Sequence, residues 1–138
     1  MDDRPSRPQL EVVGAVIVRD ARVLCAQRGP DGSLAGRWEF PGGKVEDGES
    51  APDALAREID EELRCTVDVG DPIATTRYDD GRVVVVLTTY WCTLTSGEPQ
   101  RTEHAELRWV VPEELGDLDW APADVPAVEV VTAALRRE

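Results

Sequence analysis

Glu58, Glu61 and Glu62 form the densest group of chemically active side chains in the 138-residue sequence. Positions three and four apart share a face of an α-helix, so a helical segment here presents three carboxylates to one patch of solvent. Like charges four positions apart destabilise a helix by roughly 0.2–0.5 kcal/mol per pair, which makes Glu58 with Glu62 a cost unless a cation sits between them. Magnesium favours carboxylate oxygens and keeps some of its waters, so clustered glutamates suit it beside substrate phosphates, with Mn²⁺ as a substitute. One such carboxylate can also take the proton of an attacking water. From Gly43 to Cys65 there are eight acids (Glu46, Asp47, Glu49, Asp53, Glu58, Asp60, Glu61, Glu62) against three bases (Lys44, Arg57, Arg64). A merely solvated acidic helix has the same composition, so the acids by themselves leave both readings open.

Those acids need a rigid support. Ser50 followed by Ala51, Pro52 and Asp53 is a helix start: a hydroxyl cap, proline in the first turn and an acid against the positive helix end. The helix is expected from about Ala51 to about Leu63. Leu55, Ile59 and Leu63 repeat every four residues and turn the neighbouring face to the core. Before the helix, Leu10 to Val18 and Val23 to Ala26 read as a hairpin through Asp20-Ala21, Gly29 to Gly36 as a loop, and Arg37 to Phe40 as a short extended piece. Pro41-Gly42-Gly43 is a sharp turn signal. After the helix, Thr66 to Val69, Ile73 to Tyr78, Val83 to Leu94 and Leu107 to Val111 read as strands, with Asp79-Asp80-Gly81 as a turn. Pro112 to Leu115 reads as a helical turn, and Val125 to Leu135 as a closing helix. Strands interleaved with two helices imply an α/β (α+β) fold with a mixed sheet covered on both faces.

The length fits one domain, expected over residues 10–138 behind a flexible N-terminal arm at 1–9. Apolar residues make up 41%, enough for a core, in runs too short to cross a bilayer. The start reads as no signal peptide, and three unclustered cysteines, Cys25, Cys65 and Cys92, fit a reduced cytoplasmic protein. With a single histidine, His104, the chain has no His-rich metal centre, and its chemistry must run on carboxylates, lysine, arginine or metal. A net charge of −13 opposes binding of polymeric nucleic acid along an extended surface.

Gly43, five residues, Glu49, seven residues, then Arg57-Glu58-Ile59-Asp60-Glu61-Glu62 resembles the Nudix box, Gly-x5-Glu-x7-Arg-Glu-aliphatic-x-Glu-Glu-x-Gly-aliphatic, at every defined position through Glu62. Such a spaced, many-position match is far more specific than a glycine-rich loop. It departs at Arg64, where the box has glycine, and at Cys65, where a larger aliphatic is usual. A non-glycine residue in the left-handed conformation costs about 1–2 kcal/mol, unless the helix continues by one residue. The resemblance implies an α/β/α sandwich and a hydrolase in which Glu58, Glu61 and Glu62 carry the metals. The Gly43 carbonyl would add to the ligands, and Glu49 and Arg57 would pair to brace the loop against the helix.

Beyond the box, Val13 to Val18, Ala26-Gln27-Arg28, Gly36 to Glu46 and Ala121 to Pro126 are similar to the MutT-type and CTP-pyrophosphohydrolase-type nucleotide-pool enzymes. That similarity implies cleavage of a nucleoside triphosphate to the monophosphate and pyrophosphate by a monomer or homodimer. It implies that Arg28 contacts phosphate, that Glu39 lies near the substrate, and that Glu103 swings in as a further metal ligand or helper base. Tyr78 or Trp120 is a candidate to stack on the base, against core packing as the alternative. His104 reads as a loop residue.

Asp124 has two roles open to it. In MutT-type relatives the matching position reads the base. An ionised aspartate only accepts hydrogen bonds, so its complement is an exocyclic amine such as N4 of cytosine, which favours CTP, dCTP and 5-methyl-dCTP. A protonated aspartate would instead suit an oxidised purine such as 8-oxo-dGTP. Capping the final helix is the structural alternative. From another class, a non-catalytic Nudix-fold nucleotide-binding module also stays open, although a pure binder has no need of the full acid set.

Overall fold

The first strand, β1 (Gln9–Arg19), is buried from both sides because alternate side chains of a strand point to opposite faces. Val13, Ala15 and Ile17 pack with Ala54, Leu55, Ile59 and Leu63 of the helix Ala51–Leu63, α1. Val16 faces the other way and packs with Ala127, Val128 and Val131 of the helix Val125–Leu135, α2. The computed structural model, which describes residues 7–136, is thus an α/β/α sandwich, as the resemblance implied.

The remaining strands are β2 (Arg22–Gln27), β3 (Trp38–Glu39), β4 (Gly42–Lys44), β5 (Thr66–Asp79), β6 (Val84–Ser96) and β7 (Glu106–Val110). The sheet runs β3-β2-β1-β6-β5, with β4 paired to β1 and β7 to β2. The β1–β6 pairing is parallel and the others antiparallel, so the sheet is mixed. The β1–β2 hairpin turns through Asp20 and Ala21, both at positive φ (53° and 62°), the geometry of a two-residue type I′ turn.

Two expectations are corrected. Pro41-Gly42-Gly43 is no sharp turn: Gly42 and Gly43 lie in β4 against Val13 and Gly14 of β1. Glycine is needed there for close approach, since a Cβ on Gly42 would fall 1.9 Å from the Val13 carbonyl oxygen. The extended stretches before and after Pro72 are one strand, interrupted by register shifts around Val69, Pro72 and Ala74. Proline has no amide to donate, and such irregularities are where a sheet accommodates it. Residues 1–6 of the expected arm lie outside the described residues. Its last residue, Gln9, already belongs to β1, and Arg7 bonds to the Gly81 carbonyl and Asp79.

The Ser50 hydroxyl accepts the Asp53 amide at 3.2 Å, opening α1 where the cap signal predicts. At the other end Arg64 itself adopts the left-handed conformation (φ 58°, ψ 36°), so the helix stops where a Nudix glycine would stop it. The carbonyls it leaves free are met by the segment ahead of β7: the Gln100 amide donates to the Leu63 oxygen at 2.8 Å, and the Thr102 hydroxyl to the Glu62 oxygen at 2.5 Å.

Candidate active site

Pairing of β4 with β1 sets the Gly43 backbone over the middle of α1. A Cβ at Gly43 would lie 2.2 Å from Glu58 Cδ, so the absence of a side chain is what lets this carboxylate sit against the strand. One turn on, Glu62 is partly buried beside Glu58. Burial, then the charges of Glu58, Glu103 and Glu39, push its carboxyl up to about 8. Crowded carboxylates that hold a proton in this way are the donor set a divalent cation would relieve.

Arg57 braces the cluster. Its Nε donates to Glu49 Oε2 at 2.6 Å and one terminal nitrogen to Glu49 Oε1 at 3.0 Å, a two-point clasp. That pairing holds the Glu49 carboxyl down to about 2. The same terminal nitrogen reaches the Lys44 carbonyl at 3.1 Å, fastening β4. The other meets Glu61 Oε1 at 3.2 Å and Glu58 Oε2 at 3.4 Å. Glu61, with a side chain 58% exposed, is therefore drawn toward Arg57. Among the described residues no three acids, histidines or cysteines converge tightly enough to cage an ion. Arg57 links Glu58 and Glu61 instead, and an incoming cation would compete with it for their oxygens.

A cleft of about 790 Å³ opens beside this cluster and is lined by seven of the candidate site residues, Arg28, Glu39, Gly43, Glu62, Tyr78, Glu103 and Asp124, and by His104. Glu58, Glu61, Glu49 and Arg57 stand outside its lining. Arg28 donates to Glu39 Oε1 at 2.7 Å and to the Ser33 carbonyl at 3.0 Å, so its guanidinium ties the 29–36 loop to β3. Glu103 is exposed on the loop before β7.

Asp124 does not cap α2. It begins that helix with no side-chain cap bond, and its Oδ1 instead accepts the Phe40 amide at 3.2 Å. Only 5% exposed, its carboxyl is pushed up to about 7 by burial, with the Phe40 amide and Arg28 opposing and Glu39 reinforcing. Trp120 is a core residue: its ring lies 4.8 Å from that of Phe40, and its indole NH donates to the Leu115 carbonyl.

The residue that sequence reasoning undervalued is His104. It is no ordinary loop residue, being 7% exposed and bonded through Nε2 to Glu39 Oε2 at 3.0 Å. Nothing local in the sequence signals that burial; its place beside Glu103 was the one available hint. The apolar side of the cleft, including Phe40 before β4 and Val85 and Leu87 of β6, also comes from segments far apart in sequence and carries no local signature.

The sandwich and a carboxylate-bearing helix set against a glycine strand define a hydrolase scaffold for phosphate-containing substrates. The NUDIX domain model matches residues 8–137, and the chain belongs to the Nudix hydrolase family. It is 47% identical over 116 residues to the "Putative 8-oxo-dGTP diphosphatase 2" of Mycobacterium tuberculosis, covering 82% of this chain and 81% of that one. With the CTP pyrophosphohydrolase of Escherichia coli it shares 40% over 124 residues, 90% of this chain and 92% of the relative. Among solved structures, the MutT Nudix hydrolase of methicillin-resistant Staphylococcus aureus superposes with a TM-score of 0.79 at 47% identity, covering 94% and 99% of the two chains. Nudix hydrolases generally need a divalent metal, and the acids of α1 with the Gly43 backbone fit that need. Among the described residues no helix is long and apolar enough to cross a membrane.

Proposed function

We propose that residues 10–138 act as one catalytic domain that hydrolyses a nucleoside triphosphate to the monophosphate and pyrophosphate. Cytosine nucleotides (CTP, dCTP and 5-methyl-dCTP) are its preferred substrates, Mg²⁺ its working ion and Mn²⁺ a substitute. The carrying observation is a single cleft lined at once by Glu62 and Glu103, by Arg28, and by Asp124 with Phe40 and Leu87. It offers acids for an ion, a cation for phosphate and a polar reader among apolar walls for a base, in a volume suited to a nucleotide. The activities named for the Escherichia coli and Mycobacterium tuberculosis relatives support this substrate class.

In this reading the side chains of Glu58, Glu61, Glu62 and Glu103 and the Gly43 carbonyl hold the divalent ion, which when bound neutralises phosphate charge and acidifies a water. Arg28 takes a phosphate oxygen with hydrogens not used on Glu39 and Ser33. Glu58, Glu61 or Glu103 receives the proton of the water that attacks the β-phosphorus. Tyr78 stacks on the base, and Asp124 accepts from its exocyclic amine. The protein works in the cytoplasm as a monomer or homodimer on a small-molecule substrate.

Hydrolysis in heavy-oxygen water tests the regiochemistry: label is expected in pyrophosphate, and label in the monophosphate would refute it. Comparing kcat/KM for CTP, dCTP, 5-methyl-dCTP, dGTP and 8-oxo-dGTP tests the base. A second reading, 8-oxo-dGTP as the preferred substrate, is favoured by one observation: with its carboxyl near 7, Asp124 is substantially protonated at neutral pH and can donate as well as accept. Preference for 8-oxo-dGTP in that panel selects this reading; tight binding with no product for any nucleotide defeats both.

A further inference from the structure

We propose that His104 is a positioning residue for the reaction, one that couples the loop carrying Glu103 to Arg28 through Glu39. The inference rests on the roles given above to Arg28 and Glu103. The Glu39 carboxylate is shared: Oε2 faces His104 Nε2 at 3.0 Å, and Oε1 receives the Arg28 guanidinium at 2.7 Å. The backbone around His104 is pinned as well. The Arg101 side chain donates to the His104 carbonyl at 3.1 Å, and the Ala105 amide donates to the Gln27 carbonyl at 2.8 Å, next to Arg28 in sequence. Gly29, on the other side of Arg28, lies so near the Glu103 carbonyl that a Cβ there would meet it at 3.4 Å. The two segments thus lie side by side, and His104 with Glu39 is their side-chain link.

The ring chemistry says what the histidine is for. A carboxylate only accepts, so the nitrogen facing Glu39 carries the hydrogen, and in the neutral ring Nδ1 then carries none. That Nδ1 is buried without a hydrogen-bond partner among the described residues. An apolar side chain of similar size would fill this space without stranding a nitrogen, so packing does not account for histidine here. The bond to Glu39 does. It holds that carboxylate where its other oxygen meets Arg28, and a displaced Glu39 would release both the guanidinium and the loop.

His104 is the single histidine of the chain, so tag-free protein labelled with ¹⁵N-histidine reports one ring. At about pH 8.5, where an ordinary imidazole is neutral, the expected spectrum is one tautomer with hydrogen on Nε2, becoming an exchanging mixture in Glu39→Ala. Hydrogen on Nδ1, or a mixture already in the unmutated protein, overturns the proposal. In kinetics, with whichever nucleotide is cleaved, His104→Met should lower kcat/KM by about 10–100-fold. His104→Gln, whose amide NH overlays Nε2, should restore most of that. His104→Met should add little once Glu39 is alanine, because both changes break one link. Unimpaired turnover by His104→Met, no recovery with a folded His104→Gln, or a full additional loss in the Glu39→Ala background each defeats the proposal. If His104→Met does not fold, the spectrum and His104→Gln decide. A protein that cleaves no nucleotide defeats the function proposed above, whereas the ring spectrum still settles whether His104 and Glu39 are linked.

Discussion

The Phe40 amide donates to Asp124 Oδ1 at 3.2 Å, joining the segment between β3 and β4 to the residue immediately before α2. A carboxylate that would ordinarily cap its own helix is spent on a residue 84 positions away. Its burial makes it the group whose protonation is most exposed to test.

Replacing Asp124 with asparagine should change both base preference and the pH dependence of stability. With its carboxyl raised from 3.8 to about 7 by burial, the folded protein retains a proton that the unfolded chain has lost. Asp124 therefore contributes its full stability below about 3.8, and that contribution is lost as pH rises through about 7. Urea titrations should find Asp124→Asn gaining stability relative to the unmutated protein from pH 4 to pH 8. A constant difference over that interval would show that Asp124 does not titrate as described.

Two adjacent glycines should fail in different ways. Gly42→Ala drives a Cβ into the Val13 carbonyl at 1.9 Å, a backbone atom that cannot move without breaking β1–β4 pairing. It should cost at least about 1–3 kcal/mol, read as a fall in Tm. Gly43→Ala meets the end of the Glu58 side chain, which can swing away. Its Tm should fall less while turnover drops at least about ten-fold, because the Glu58 carboxyl is pushed off the Gly43 backbone. Equal thermal losses with intact turnover in Gly43→Ala would contradict this division.

Arg57→Lys should not behave as a conservative change. A lysine supplies one charge where the guanidinium clasps both Glu49 oxygens and also reaches Glu58, Glu61 and the Lys44 carbonyl. Turnover should fall by more than about ten-fold, and the midpoint of acid unfolding should move to higher pH. Glu49 is held down to about 2 by Arg57, so its contribution is present above its ordinary value of 4.5 and disappears as pH falls through about 2. Circular dichroism across an acid titration, with steady-state kinetics at neutral pH, checks both parts.

Arg64→Gly should stabilise the protein. The arginine sits at φ 58°, which costs an L-residue about 1–2 kcal/mol. Glycine removes that strain but gives up a charge at the negative helix end and adds freedom to the unfolded chain. The net gain expected in urea unfolding is about 0.5–1 kcal/mol, with kcat unchanged. A lower unfolding midpoint would mean that the Arg64 side chain does more than end the helix.

The sequence by itself determined what depends on neighbours along the chain. The Ser50 cap, the turn at Asp20-Ala21, the four-residue repeat of Leu55, Ile59 and Leu63 and the spacing from Gly43 to Glu62 are all local, and each reappears in the structure with its boundaries nearly intact. Fold class followed from the alternation of such elements. What only the tertiary structure decided involves partners far apart in sequence. Gly42 and Gly43 looked like a turn because glycine signals both bending and close approach, and only the pairing of β4 with β1 distinguishes them. For Asp124 the capping alternative stayed open beside base reading because its actual donor, the Phe40 amide, lies 84 positions away. Arg64 could have extended the helix; Gln100 and Thr102 reach its last carbonyls from a separate loop while it terminates. His104 is buried with its ring against Glu39, 65 positions away, a burial that no stretch of sequence around it records. Local propensity sets elements, whereas the use of a polar side chain depends on which donors and acceptors the packing brings within about 3 Å of it.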